Sequence, residues 1–147
     1  MAAYLTITEA TTYFTNYSLF FDAWTDATAG QQQVALNLAT ELINTLPLQG
    51  YPTVANQTNA FPRNGDTTVP DEIPKACAEC AYALLDGVDP ESEFRVLEIE
   101  STKYANVSTK YSTPRLLMKA YGIPSFMAWK YLARWIDTPE SVTLSKV

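Results

Sequence analysis

Between Pro70-Asp71-Glu72 and Gly87 the chain sets Ile73, Ala76, Cys77, Cys80, Ala81, Leu84 and Leu85 at helical spacing. A stripe this clean must be buried against other elements, so the fold is organised around a core helix. The acids at its start suit the positive end of the helix dipole, Pro70 stands where a missing N–H costs nothing, and Gly87 supplies the cap. Two further helices follow from similar signals. Thr6 and Glu9 form a capping box ahead of Ala10, Tyr13, Phe14 and Tyr17. Val34, Leu38 and Leu42, with Ala35, Ala39, Ile43 and Leu46, mark the buried face of a long helix that Pro47 ends. Between them, Leu19 to Trp24 is too short for a free helix and reads as a turn that plugs the core, with Trp24 as its anchor.

From Leu48 to Val69 no periodicity is sustained, and Gly50, Pro52, Asn56, Asn59, Pro62, Asn64 and Gly65 predict a long ordered loop anchored by Phe61-Pro62-Arg63. Residues 94–111 carry Phe94, Val96, Leu97, Ile99, Val107 and Tyr111 among threonines and serines, which predicts a β-hairpin turning near Ala105-Asn106. Pro114 to Gly122 and Pro124 to Asp137 each open on a proline suited to a first helical position. The expected fold is therefore mainly α, a small helical bundle with a long loop and a 94–111 hairpin insertion. At 147 residues it is one domain, 1–137, followed by a polar tail, 138–147.

The sequence has no histidine, which removes Ser-His-Asp and Cys-His catalysis, histidine-ligated metals and histidine pH switches. Cys77 and Cys80 have the spacing of a redox motif or half a zinc site, but they lie on the core stripe beyond the first turn and have no partners elsewhere. They read as small buried hydrophobes. No cofactor is expected and no enzyme activity. The absence of a basic, apolar leader predicts a soluble chain in a reducing cytoplasm with no membrane partner.

Charge is unevenly spread. Residues 1–65 carry four acids and one base, 66–100 ten acids and two bases, and 101–147 two acids and seven bases, for a net charge of −6. That total argues against an electrostatic grip on nucleic acid. Only 18% of residues are charged, against roughly 25% in ordinary soluble domains, a hint of a surface covered by partners. Two constellations remain. Glu98 and Glu100 share one face if this segment is a strand, and with Asp71 they are the only carboxylates that suggest an acid–base site. Lys103-Tyr104, Lys110-Tyr111, Trp129-Lys130-Tyr131 and Arg134-Trp135 interleave bases with aromatics, as platforms that stack single-stranded DNA do. The same spacing also fills ordinary helical cores.

The order Tyr4-Leu5-Thr6, Glu9-Ala10, Tyr13-Phe14, Trp24, Gln49-Gly50, Phe61-Pro62-Arg63 and Val69-Pro70-Asp71-Glu72-Ile73 resembles the tailed-phage head-tail connector adaptors, whose members are often labelled DnaT-like single-stranded DNA-binding proteins. The resemblance spans roughly residues 4–110. It implies a structural neck protein of the virion, assembled in the host cytoplasm. Such a protein forms a ring of copies of itself, typically twelve, under the portal protein, and docks a tail or neck protein below. DNA would pass through the ring without sequence-specific binding. Carried over by position, the portal contacts would be Trp129, Arg134, Trp135, Thr138, Leu144 and Val147. Glu98, Glu100, Lys103, Tyr104 and Lys110 would meet a neighbour or the next ring, and Tyr13, Trp24, Phe61, Pro62, Arg63, Cys77 and Cys80 would anchor core and loop. The alternative is a replication accessory protein binding single strands through Tyr104, Tyr111, Trp129 and Trp135.

Overall fold

The computed structural model describes residues 2–103, 109–111, 114–137 and 142–144. Its helices are α1 (Ile7–Tyr17), α2 (Asp22–Thr25), α3 (Ala29–Asn44), α4 (Glu72–Leu85), α5 (Pro90–Lys103), α6 (Pro114–Ala120) and α7 (Phe126–Leu132), the last running into a 3-10 turn, Ala133–Trp135. Two three-residue strands, β1 (Thr109–Tyr111) and β2 (Val142–Leu144), pair antiparallel. The architecture is mainly helical.

The core stripe read from the sequence is α4, and it is the hub. α4 packs against α1, α2, α3 and α7. It can do so because Ala76, Cys77, Ala78, Cys80 and Ala81 are all fully buried yet small, so neighbours approach closely on several sides. Gly87 (φ +95°) ends it: Val88 N–H donates to the Ala83 carbonyl at 3.0 Å and Gly87 N–H to that of Leu84 at 3.3 Å. Gly122 closes α6 by the same arrangement. Capping boxes start α1 (Thr6, Glu9) and α3 (Thr28, Gln31), each contributing about 1 kcal/mol.

Aromatic packing fixes α1 and α2 on this hub. Phe14 lies 5.2 Å from Trp24, 6.1 Å from Phe21 and 5.7 Å from Tyr82, ring centre to ring centre. Trp24 is fully buried, and its indole N–H donates to Thr11 Oγ1 at 3.0 Å. Leu19 and Phe20, by contrast, are 90% and 81% exposed, so the core plug narrows to Phe21 and Trp24.

Three sequence expectations are corrected. The buried side of α3 is Ala35, Leu36, Ala39, Thr40 and Ile43, whereas Val34 and Leu38 are more than half exposed. Thr40 explains the rotation, because its buried hydroxyl accepts from Tyr4 N–H at 3.1 Å and meets Cys77 Sγ at 3.5 Å. The 94–111 hairpin does not form, since most of it belongs to α5. Asp89 Oδ1 accepts from Glu91 N–H at 3.0 Å, Pro90 opens the helix, Glu91 and Glu93 sit in its first turn, and Arg95 pairs with Glu91 at 2.9 Å. These local start signals outweigh the β preference of Val96 and its neighbours. β1 pairs instead with β2, from beyond α7, with Lys110 opposite Thr143. Finally, α7 starts at Phe126 rather than at Pro124, because the Ser125 hydroxyl accepts from Ala128 N–H at 3.2 Å and so caps the helix there.

The 48–69 loop is held from within by Arg63, only 8% exposed. Its guanidinium donates to the carbonyls of Gly50 (2.7 Å), Ala60 (3.0 Å) and Gln49 (3.1 Å), with that of Leu48 at 3.5 Å. The peptide Phe61–Pro62 is cis. Asn44 and Tyr4 tie the loop to α3 and the N-terminal segment: Tyr4 Oη donates to Asn44 Oδ1 at 2.6 Å and accepts from Phe61 N–H at 3.2 Å. Among the described residues, no helix is long and apolar enough to cross a membrane.

Candidate nucleic-acid interface

α7 is amphipathic. Ala128, Trp129, Leu132 and, after the 3-10 turn, Ile136 face inward, while Phe126, Met127, Lys130 and Arg134 face out. Phe126 is 55% exposed, and Lys130 Nζ stands 5.8 Å from its ring centre. Trp135 is partly buried edge-on against Phe61 (5.6 Å, 83°), with the Arg134 guanidinium 4.8 Å from its ring. The loop fixes this end of the helix: Gln49 N–H donates to the Trp135 carbonyl at 2.7 Å, and Asp137 N–H to that of Pro47 at 2.7 Å.

α1 and α4 extend the same surface. Tyr17 is 66% exposed, stacks on Tyr13 at 5.4 Å with planes 29° apart, and carries Lys75 Nζ 5.1 Å from its ring centre. Tyr13 Oη donates to Glu79 Oε1 at 2.7 Å and lies 3.4 Å from Tyr131 Oη on α7. Arg134 reaches Glu72 on α4 at 3.7 Å. These contacts link Tyr17 through Tyr13 to Tyr131 on α7, and Arg134 to Glu72 on α4; three exposed or partly exposed rings, Tyr17, Phe126 and Trp135, each have a cation within 6 Å of the ring centre. The remaining bases with described side chains are otherwise engaged: Arg63 is buried, Arg95 pairs with Glu91, and Lys119 pairs with Glu93 at 3.0 Å.

Burial silences the titratable groups beneath this surface. Desolvation raises the Tyr13 hydroxyl far above its usual range, and its bonds to Tyr131 and Glu79 add to that. Burial lifts the Cys77 thiol to about 11, against the opposing hydrogen bond with Thr40, and lifts Cys80 still more clearly. Neither thiol has the lowered pKa that redox or nucleophilic work needs. They are core residues.

The sequence model of a family described as "Putative DnaT-like ssDNA binding protein" matches residues 1–138. The chain belongs to this family. No curated protein and no solved structure matches it.

Membership in the DnaT-like family overturns the adaptor expectation, since the match names single-stranded DNA binding and carries nothing of a virion neck, a portal or a tail partner. The expectation that DNA passes through a ring without sequence-specific binding is corrected with it. Of the supposed portal contacts, Trp129 is a core residue at 7% exposure, Arg134 and Trp135 belong to the aromatic surface, Leu144 lies in β2, and Thr138 and Val147 fall outside the described residues. Of the supposed ring contacts, Glu98, Glu100 and Lys103 lie in α5, Lys110 lies in β1, and Tyr104 is outside the described residues. The strand that would have set Glu98 and Glu100 on one face does not form, because the segment belongs to α5. Of the supposed anchors, Tyr13, Trp24, Phe61, Cys77 and Cys80 lie in the core, Arg63 is buried within the loop, and Pro62 is partly buried.

The net charge of −6 sums over the whole chain, whereas charge–phosphate contacts act within about 10 Å. Of the platform residues expected from sequence, Tyr111 lies in β1, and Trp135 joins the surface while Trp129 does not. Sequence reasoning missed Tyr17 with Lys75, which come from different helices and leave no local signal. It also missed Phe126 with Lys130, whose four-residue spacing was a legible one.

Proposed function

We propose that this protein binds single-stranded DNA on the α1/α4/α7 surface, as a binding protein and not a catalyst, acting in the cytoplasm. The observation that carries the reading is the set of three ring–cation pairs, Tyr17/Lys75, Phe126/Lys130 and Trp135/Arg134. A cation over an exposed ring contributes about 0.5–1 kcal/mol, whereas a stacked base contributes about 1–3 kcal/mol. Exchange therefore favours the base: the flexible base side chain swings from the ring to a neighbouring phosphate, and the ring takes the nucleobase. Both halves of a nucleotide are served by one residue pair. Membership in the DnaT-like family supports the same activity.

Three bases set the electrostatic contribution, and Glu72 and Glu79 on the same surface temper it. Binding should be driven by stacking, with log K falling against log salt with a slope of about −2, from roughly 0.7 per phosphate contact. Fluorescence anisotropy with a labelled single-stranded 20-mer across a salt series tests this. The expected result is saturable binding with that shallow slope, weakened by Phe126→Ala and by Tyr17→Ala, with a duplex of the same sequence bound far less. Equal binding of duplex and single strand, or no loss in either variant, would overturn the reading.

A further inference from the structure

We propose that the apolar trough between α3 and the C-terminal end of α4 docks an amphipathic helix of a partner protein, one that carries lysine or arginine beside its leucine stripe. α3 turns Val34 and Leu38 outward, 57% and 51% exposed, and half-buried Leu42 follows one turn later. Glu41 is the only charged residue among the 16 of α3. The outer face of a surface helix ordinarily carries charges, so an apolar stripe there marks a face that something covers. Leu84, Leu85 and Pro90 form the opposite wall. Two hollows of about 450 and 350 Å³ share Leu38 and Leu84, and together they run from Thr28 to Thr45. At 1.5 Å per residue α3 is about 24 Å long, so the trough takes a helix of about four turns. The polar groups at its far end are already used, since Thr28 Oγ1 accepts from Gln31 N–H and Gln31 Oε1 from Thr28 N–H.

Charge selects the occupant. The stretches that carry the trough, residues 29–44 and 84–90, contain Glu41, Asp86 and Asp89 and no base. Two copies laid face to face here would set acids against acids, whereas a helix with basic flanks complements them. The chain's own α7 presents Phe126, Met127 and Lys130 outward, but its seven residues fill less than half of a trough that follows sixteen. A partner's helix with apolar residues at i, i+3, i+4 and i+7 matches both the length and the stripe. Leu84 stands about two and a half turns beyond Lys75, which places it on the side of α4 away from the Tyr17/Lys75 pair. The trough is therefore separate from the single-strand surface, and both can be occupied together.

The test is anisotropy titration of a labelled synthetic helix, about 16 residues of leucine and lysine at helical period, against its leucine/glutamate counterpart. The proteins are wild type, Leu38→Glu, Val34→Gln and Glu41→Gln, with circular dichroism confirming that each variant is folded. All three positions are exposed, so folding should be unchanged. Wild type should bind the lysine peptide with a single saturable site and the glutamate peptide at least about tenfold more weakly. Leu38→Glu should weaken the lysine peptide about tenfold or more, and Val34→Gln about fivefold. Mere adhesion of a cationic peptide to an acidic protein predicts the opposite for Leu38→Glu, because that variant adds a negative charge. Glu41→Gln should cost about two- to fivefold. Anisotropy of the single-stranded 20-mer should be the same in Leu38→Glu as in wild type. No binding of the lysine peptide, equal binding of the two peptides, or full binding by Leu38→Glu would overturn the proposal. Sedimentation of wild type should show a monomer; a dimer that Leu38→Glu dissociates would assign the trough to a second copy and overturn the partner helix.

Discussion

Replacing Arg63 by Met should loosen the whole 48–69 loop and with it the Trp135 end of the interface. The guanidinium makes three bonds of 3.1 Å or less to the carbonyls of Gly50, Ala60 and Gln49, and a fourth carbonyl, Leu48, lies at the outer limit. Among the described residues no carboxylate pairs with it. Bonds to a charged donor contribute about 1.5–3 kcal/mol each, so three amount to roughly 5–9 kcal/mol in gross terms. Two effects reduce the loss. Gln49 and Gly50 are exposed, so water can take over their carbonyls, and Met removes a buried charge whose desolvation opposed folding. A net loss of about 3 kcal/mol remains. With a urea dependence of about 2 kcal/mol per molar, the unfolding midpoint should fall by about 1.5 M. Arg63→Lys keeps the charge but presents a compact donor without the planar fork, so it should lose about 2 kcal/mol. Because Trp135 packs on Phe61 and its carbonyl accepts from Gln49, the Met variant should also show red-shifted tryptophan emission before global unfolding, and weaker single-strand binding. A midpoint shift below about 0.3 M for Met, or a Lys variant equal to wild type, would refute the assignment of loop order to this residue.

Trp135→Ala should weaken single-strand binding by roughly 5- to 150-fold, the equivalent of about 1–3 kcal/mol for one stacked base, with the salt slope unchanged. Arg134→Gln should instead reduce that slope by about 0.7, read from anisotropy at four or more salt concentrations. Burial raises the folded pKa of Cys77 to about 11 and that of Cys80 as well, above the unfolded thiol range. Stability from these groups is therefore full below about pH 8.5 and is lost as pH climbs toward the folded values. Urea unfolding at pH 8 and pH 10.5 should show a loss on the order of 2 kcal/mol, and Cys77→Ala should shrink that difference. Gly87→Ala should cost about 1 kcal/mol by thermal unfolding, from the positive φ alone, since no atom stands within 4 Å of where the new methyl would sit.

Much of the helical frame was legible because its signals are local. Thr6 with Glu9, the Pro70–Gly87 bracket and the Pro47 stop each act within a turn or two of the residues they order, so spacing alone reveals them. α5 was equally legible in Asp89-Pro90-Glu91, whose local helix-start chemistry outweighs the β-branched residues that follow. The exact buried side of α3 was not legible. Val34 and Leu38 are as apolar as the residues that replace them in the core, and it is the bond from Tyr4 to Thr40 that helps decide which way the helix turns.

The sequence by itself determined a helical chain with a central small-residue helix, no histidine chemistry and a loop pinned at Phe61-Pro62-Arg63. Tertiary structure alone decided that Trp129 is core while Phe126 and Tyr17 are surface, and that Lys75 from α4 stands over a ring from α1. The reason is physical. Helix formation depends on neighbours three and four residues away, whereas a binding surface depends on which helix faces meet, and that is set by packing around α4.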